Sequence, residues 1–156
     1  METKNKPAQE TQGCEIVVSR LLNAPKELVW EMWTNPEHIK HWWGPNGFTN
    51  TILKMDVRPG GEWELIMHGP NGMDFPNKHI YTEVVKYEKL VHVHGSDPKF
   101  ELTAIFTAQG NKTLVTVTSR FETPEMLQKA VKEFGADEGL KQNIDRLVTY
   151  ITEITK

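Results

Sequence analysis

Apolar side chains along this chain change their period twice, and the changes mark its elements. Residues 1–13 are polar and carry no large aliphatic or aromatic side chain after Met1, which predicts a disordered tail ahead of one domain over residues 14–156. β-Branched and aliphatic residues then cluster from Cys14 to Leu22, a run of strand length. Pro25 suits the first turn of a helix, because its missing N–H has no intrahelical partner there. Leu28, Val29, Met32 and Trp33 recur at helical spacing, so a helix is predicted from Pro25 to Thr34. Pro36 opens a second short helix through Trp43, closed by Gly44-Pro45-Asn46-Gly47.

From Phe48 to Phe121 the period falls to two, broken by turn residues, which predicts antiparallel strands joined by hairpins. Thr51, Leu53, Met55 and Val57 are assigned to one face of a strand that ends before Pro59-Gly60-Gly61. Trp63, Leu65 and Met67 share a face of the next strand, Glu62 to His68. A loop beginning at Gly69-Pro70-Asn71-Gly72 leads to four further strands, at His79 to Lys86, Leu90 to Gly95, Phe100 to Ala108 and Thr113 to Phe121.

Thr123 then caps a terminal helix, with Pro124 at its first position and Glu125 near the positive end of its dipole. Leu140, Ile144, Leu147, Val148, Ile151 and Ile154 form a stripe that buries one side. Gly135 and Gly139 each cost about 0.8–1 kcal/mol relative to Ala in a helix interior, so a kink or break is predicted there. The element order predicts an α+β fold in which six to seven strands wrap the terminal helix. A strongly curved sheet cannot touch a straight helix everywhere, and a hollow between them is the natural place for a ligand.

Charge and composition narrow the partners. Lys plus Arg number 18 against 21 Asp plus Glu, a net charge of −3, so no positive field gathers the phosphates of a nucleic acid. Cys14 is the one cysteine, which excludes an internal disulfide and a thiolate metal cluster and suits the cytoplasm. No apolar run approaches the roughly eighteen residues of a membrane span, and residues 1–13 hold no secretory apolar stretch. No coiled-coil heptad argues against a monomer.

Six histidines raise the question of a metal, with His92 and His94 on one strand face and His68 and His79 on neighbouring strands. No HExxH or facial carboxylate triad accompanies them, so no metal and no cofactor is expected; they read as half-buried strand residues or as a polar contact within a cavity. No Gly-x-Ser-x-Gly elbow is present, which argues against an acyl-enzyme. Glu64 with His68, or Glu83 with His94, forms an acid–base pair only if both members face one cavity; otherwise each is a sheet-surface residue. The segments Arg58-Pro59-Gly60-Gly61 and Gly69-Pro70-Asn71-Gly72 match no phosphate loop and read as turns. Trp42-Trp43 is more unusual: either both indoles anchor the structure, or one plugs the core while the other borders a cavity mouth.

Ala24-Pro25, Val29-Trp30, Trp33-Thr34, Trp42-Trp43-Gly44-Pro45, Asp56-Val57-Arg58-Pro59-Gly60-Gly61 and Trp63 occur in a characteristic order. His68-Gly69-Pro70-Asn71-Gly72, Tyr81 with Glu83-Val84, and Glu88-Lys89-Leu90-Val91 extend it. Over about residues 14–154 the chain resembles the activator-of-heat-shock-ATPase-homologue branch of the SRPBCC (START-like) superfamily. The resemblance implies a helix-grip fold: a curved antiparallel sheet around a long carboxy-terminal helix, with two short helices after the first strand. Superfamily members commonly hold a lipid, sterol, polyketide or aromatic compound between helix and sheet; others are cyclases or dehydratases. In the eukaryotic activators a separate amino-terminal domain does most of the ATPase stimulation, and this chain has a 13-residue tail there, so chaperone activation is not expected. The family's usual Gly-Trp in the last helix reads Gly139-Leu140, which removes an indole and enlarges the cavity near that turn.

The leading expectation is therefore binding of a small hydrophobic molecule in a cavity bordered by Trp43, Met55, Trp63, Tyr81, His94, Phe106, Phe134 and Ile144. Tyr81 and His94 would orient a polar group on the ligand. The alternatives are a cofactor-independent cyclase or dehydratase using a cavity His or Glu, and a module that binds a protein partner.

Overall fold

A computed structural model describes residues 13–96 and 99–156; the expected tail lies outside the described residues but for Gly13. Strand β1 (Glu15–Leu22) is followed by helices α1 (Lys26–Thr34) and α2 (Pro36–Ile39). Six strands come next: β2 (Thr49–Met55), β3 (Glu62–His68), β4 (Asp74–Val85), β5 (Lys89–His94), β6 (Phe100–Gln109) and β7 (Lys112–Arg120). Helices α3 (Pro124–Phe134) and α4 (Ala136–Ile154) complete the chain. All seven strands form one curved antiparallel sheet in the order β1-β7-β6-β5-β4-β3-β2, and its concave face grips α4. This is the expected α+β helix-grip fold.

Proline placement sets the short helices. Pro25 stands at the N-cap of α1 with extended backbone, and the Asn35 side chain caps α2 by accepting from Glu37 N, with Pro36 at the first helical position. Helix α2 ends at Ile39 rather than running to Trp43; turns carry Lys40 to Trp42 inward, and the Trp42 indole donates to Met32 O at 3.1 Å.

Two departures from the sequence reading have clear causes. In β2 the register shifts between Ile52 and Lys54, so a β-bulge at Leu53 divides the single face assigned to Thr51, Leu53, Met55 and Val57. Asn50 and Ile52 lie opposite Met67 and Leu65, Met55 lies opposite Trp63, and Leu53 is left exposed. Strand β4 begins at Asp74 rather than His79, although Pro76 and Asn77 read as loop residues. Pairing of β4 with β5 begins at His79 opposite His94, with Gly95 N donating to Lys78 O, so residues 74–77 pair with β3 on one side alone. A proline is tolerated at such a local edge because its missing N–H breaks no ladder.

The predicted helix break falls at Gly135, whose φ of 62° and ψ of 39° are left-handed. It ends α3, and α4 restarts at Ala136 with Gly139 inside its first turns. Gly61 answers to a different constraint: a Cβ there would sit 2.0 Å from Asp56 O, in the turn that joins β2 to β3.

Candidate functional site

Strand alternation turns one side chain in two toward α4, and what fills that space differs along the grip. At one end α1 and the turn after α2 supply indoles. Trp33 meets Trp42 edge-on at 4.9 Å between ring centroids and Phe106 at 5.8 Å, while Trp30 meets Phe106 at 5.7 Å. Ile144, Leu147 and Ile151 of α4 seal this end against Leu22 and Val115, all buried.

At the other end the same sheet and helix diverge around a hollow of about 500 Å³. Its walls are Trp43 and Phe48, Met67 and Phe75 of β3 and β4, Phe100 and Leu102 of β6, and Phe121. Phe134, Gly135, Gly139 and Leu140 close it from the α3–α4 junction. The polar residues on its wall are Asn77, His79, His94, Ser119 and Asn143, and Glu133 lies at its rim. The volume and the apolar walls with few polar groups are those of a small-molecule site.

Three imidazoles meet on the concave face. His79 opposes His94 across β4 and β5, with ring centroids 5.0 Å apart, and His92 packs edge-on against His79 at 4.7 Å. Trp63 stacks on His79 at 4.7 Å, and Phe100 stacks on His94 at 5.0 Å. Burial first, then the neighbouring imidazoles, holds His79 well below the usual histidine range; the same causes bring His92 down to about 3. Both rings are therefore neutral at physiological pH. Tyr81, beside His92, is pushed up by burial and stays protonated. The Nδ1 atoms of His79 and His92 have no hydrogen-bond partner among the described residues. His94 Nε2 bonds Asn77 Oδ1, and Asn77 Nδ2 donates to Phe75 O at 2.9 Å. That second bond orients the Asn77 amide, so His94 Nε2 is the donor. Among the described residues no group of His, Cys, Asp or Glu is arranged to hold a metal.

Helix α4 also fixes the 41–48 loop that forms one lip of the hollow. Asn143 Oδ1 accepts from Gly44 N at 3.1 Å and Gln142 Oε1 from Asn46 N at 3.0 Å. Arg146 Nη1 lies 2.9–3.1 Å from the carbonyl oxygens of Trp43, Gly44 and Pro45. Its Nη2 reaches Phe48 O at 2.9 Å and His41 O at 3.2 Å. One guanidinium thus gathers the carbonyls of a whole loop. The sequence reading passed over Arg146; the available signal was an arginine wedged between Ile144 and Leu147 of the buried stripe.

Of the eight residues expected at the cavity, Trp43, His94 and Phe134 line it, with Phe134 at the rim and 60% exposed. Trp63, Tyr81, Phe106 and Ile144 face the concave side but do not line it; they belong to the packed core, each at most 1% exposed. Met55 borders a separate surface groove of about 450 Å³ with Pro36 and Lys40. Gly139 and Leu140, expected beside the cavity, line it, whereas Phe48, Met67, Phe75, Asn77, His79, Phe100, Leu102, Ser119, Phe121 and Asn143 are lining residues that the sequence pattern did not assign to it. Neither suggested acid–base pair forms at the hollow. Glu64 lies 3.6 Å from Lys78 and Glu83 lies 3.3 Å from Lys89 at the solvent side, while His68 bonds Thr51 and Asp74. Trp42 is fully buried and Trp43 borders the cavity, so the two adjacent indoles divide the tasks of plug and wall.

Comparison with known proteins agrees with this architecture. The family model for Activator of Hsp90 ATPase homolog 1-like protein matches residues 23–152. A crystal structure of a protein from Nitrosomonas europaea is 26% identical, with a TM-score of 0.83 over 92% of this chain and 97% of that one. A solution structure from Arthrobacter aurescens, 23% identical, gives 0.85 over 92% of this chain and 88% of its own. An AHSA1-like protein from Aeromonas hydrophila, 21% identical, gives 0.72 over 90% and 94%. The last two likenesses show the fold alone. No curated protein matches the chain at a significant level.

Proposed function

The chain belongs to the Activator of Hsp90 ATPase homolog 1-like family, in the SRPBCC superfamily, and from that premise we propose that it binds a small hydrophobic molecule in the hollow between α4 and the sheet. The observation that carries this reading is a contrast in packing: a space of about 500 Å³ persists beside a core whose indoles interlock. An apolar cleft of that size beside a packed core leaves contacts unmade and apolar surface in water, and both weaken the fold. A lipid, sterol, polyketide or aromatic compound would recover that surface at about 25 cal/mol per Å² buried. The reading takes residues 14–156 as one domain that acts as a monomer in the cytoplasm.

Native mass spectrometry of the purified protein, compared with its denatured mass, tests for a retained ligand. Thermal-shift screening against fatty acids, sterols, flavonoids and polyketide-like aromatics then finds the class that raises the melting temperature. Leu140→Trp places an indole on the cavity wall and is expected to abolish the shift. A shift that survives Leu140→Trp, or a clean apo mass with no shift from any class, would overturn the reading.

Two imidazoles on the wall favour one second reading, a cofactor-independent cyclase or dehydratase type of enzyme. His79 as a neutral base, with His94 beside it, would move protons on a bound carbonyl compound. His94→Ala would then lose turnover while keeping binding; binding with no product from any candidate counts against this reading.

A further inference from the structure

Granting that this hollow is the binding site, we propose that it selects uncharged ring compounds carrying a hydroxyl or carbonyl group over carboxylates of the same shape. Charge along the wall is the first argument. Among the described residues that line the hollow, Glu133 is the one that is formally charged; it is exposed at the rim, and none of them is a lysine or arginine. The nearest guanidinium along α4, that of Arg146, is already committed to loop carbonyls. A carboxylate entering here would pass a like charge and lose its water with no lysine or arginine among the described lining residues to receive it.

The polar atoms supply the second argument, since they match a neutral oxygen. The His79 ring lines the hollow at 2% exposure, and its buried Nδ1 has no partner among the described residues, so this wall carries an unmet polar demand. Asn143 uses its Oδ1 on Gly44 N, which leaves its NH₂ group for a ligand acceptor, and the Ser119 hydroxyl both donates and accepts. A phenol or ketone satisfies such a set, whereas a pure hydrocarbon leaves buried polar groups unpaired. His79 is held neutral by its burial and so offers a carboxylate no charge. The aromatic walls favour flat rings, which stack or meet edge-on.

The test uses the full chain and three probes of one shape: naphthalene, 2-naphthol and 2-naphthoate, measured by equilibrium dialysis at neutral pH. The expected order is 2-naphthol first, with 2-naphthoate bound at least about tenfold more weakly. In His79→Phe the advantage of 2-naphthol over naphthalene is expected to shrink, and an undiminished advantage would remove His79 from the recognition. Binding of 2-naphthoate as tight as that of 2-naphthol overturns the selectivity while leaving the binding site standing, and this ranking needs no variant. Retention of none of the three, or equal retention by Leu140→Trp, sinks the site itself and the selectivity with it.

Discussion

The two ends of the grip share their strands and their helix, yet one is solid and the other hollow. Strand β6 contributes Ala104 and Phe106 to the solid end and Phe100 and Leu102 to the hollow one. Helix α4 contributes Ile144 and Leu147 to the first, Leu140 and Asn143 to the second. Sharing these elements does not by itself decide where the space lies. What differs is the filler: α1 and the turn after α2 drive Trp30, Trp33 and Trp42 into one end, whereas the other receives Trp43 alone and is roofed at the Gly135 break. Tight packing and open space are thus separated along one helix.

That separation can be broken from either side. Trp33→Ala in the solid end should cost about 3–5 kcal/mol in urea denaturation, because a fully enclosed indole leaves a cavity its neighbours cannot refill. Arg146→Ala should cost about 2–3 kcal/mol by the same measurement, since the loop carbonyls it gathers lose a charged donor. Acid should act on the boundary between the two ends. Unfolded histidines take protons near 6.5, but His92 resists until about 3, so stability is complete above the first value and lost as pH falls toward the second. His92→Phe should flatten this decline by about 1.4 kcal/mol per pH unit, read from denaturation at a series of pH values. Gly135→Ala should cost about 1 kcal/mol, the penalty of a side chain at positive φ. The smallest effect on stability belongs to Leu140→Trp, within about 1 kcal/mol of wild type, because the added indole enters existing space. A large loss there would mean that the hollow end is as tightly determined as the solid one.

Strand and helix periods made most of the architecture legible: β3 runs from Glu62 to His68 as read, and the Gly135 break was visible as a misplaced helix glycine. The site was less legible. Period two tells which side of a strand faces inward, and Trp63, Tyr81 and Phe106 do face inward. It carries no information on how far along the strand the space lies, which depends on indoles arriving from distant α1. The bulge at Leu53 was hidden for a similar reason, since a one-residue insertion leaves hydrophobic residues on both sides of it. Arg146 escaped because its partners are backbone oxygens about a hundred residues away in sequence, and carbonyls leave no mark on a sequence.

The interlocked indoles also give the molecule an optical property. Trp33 lies 4.9 Å from Trp42 and 6.1 Å from Trp43, and Trp43 lies 5.7 Å from Trp42 and 4.9 Å from Trp63. Indoles this close pass excitation among themselves faster than they emit. Light absorbed anywhere in this set therefore samples Trp43, the member that borders the hollow. A quencher that reaches that single ring would dim the fluorescence of the whole set, so the emission reports on access to the hollow.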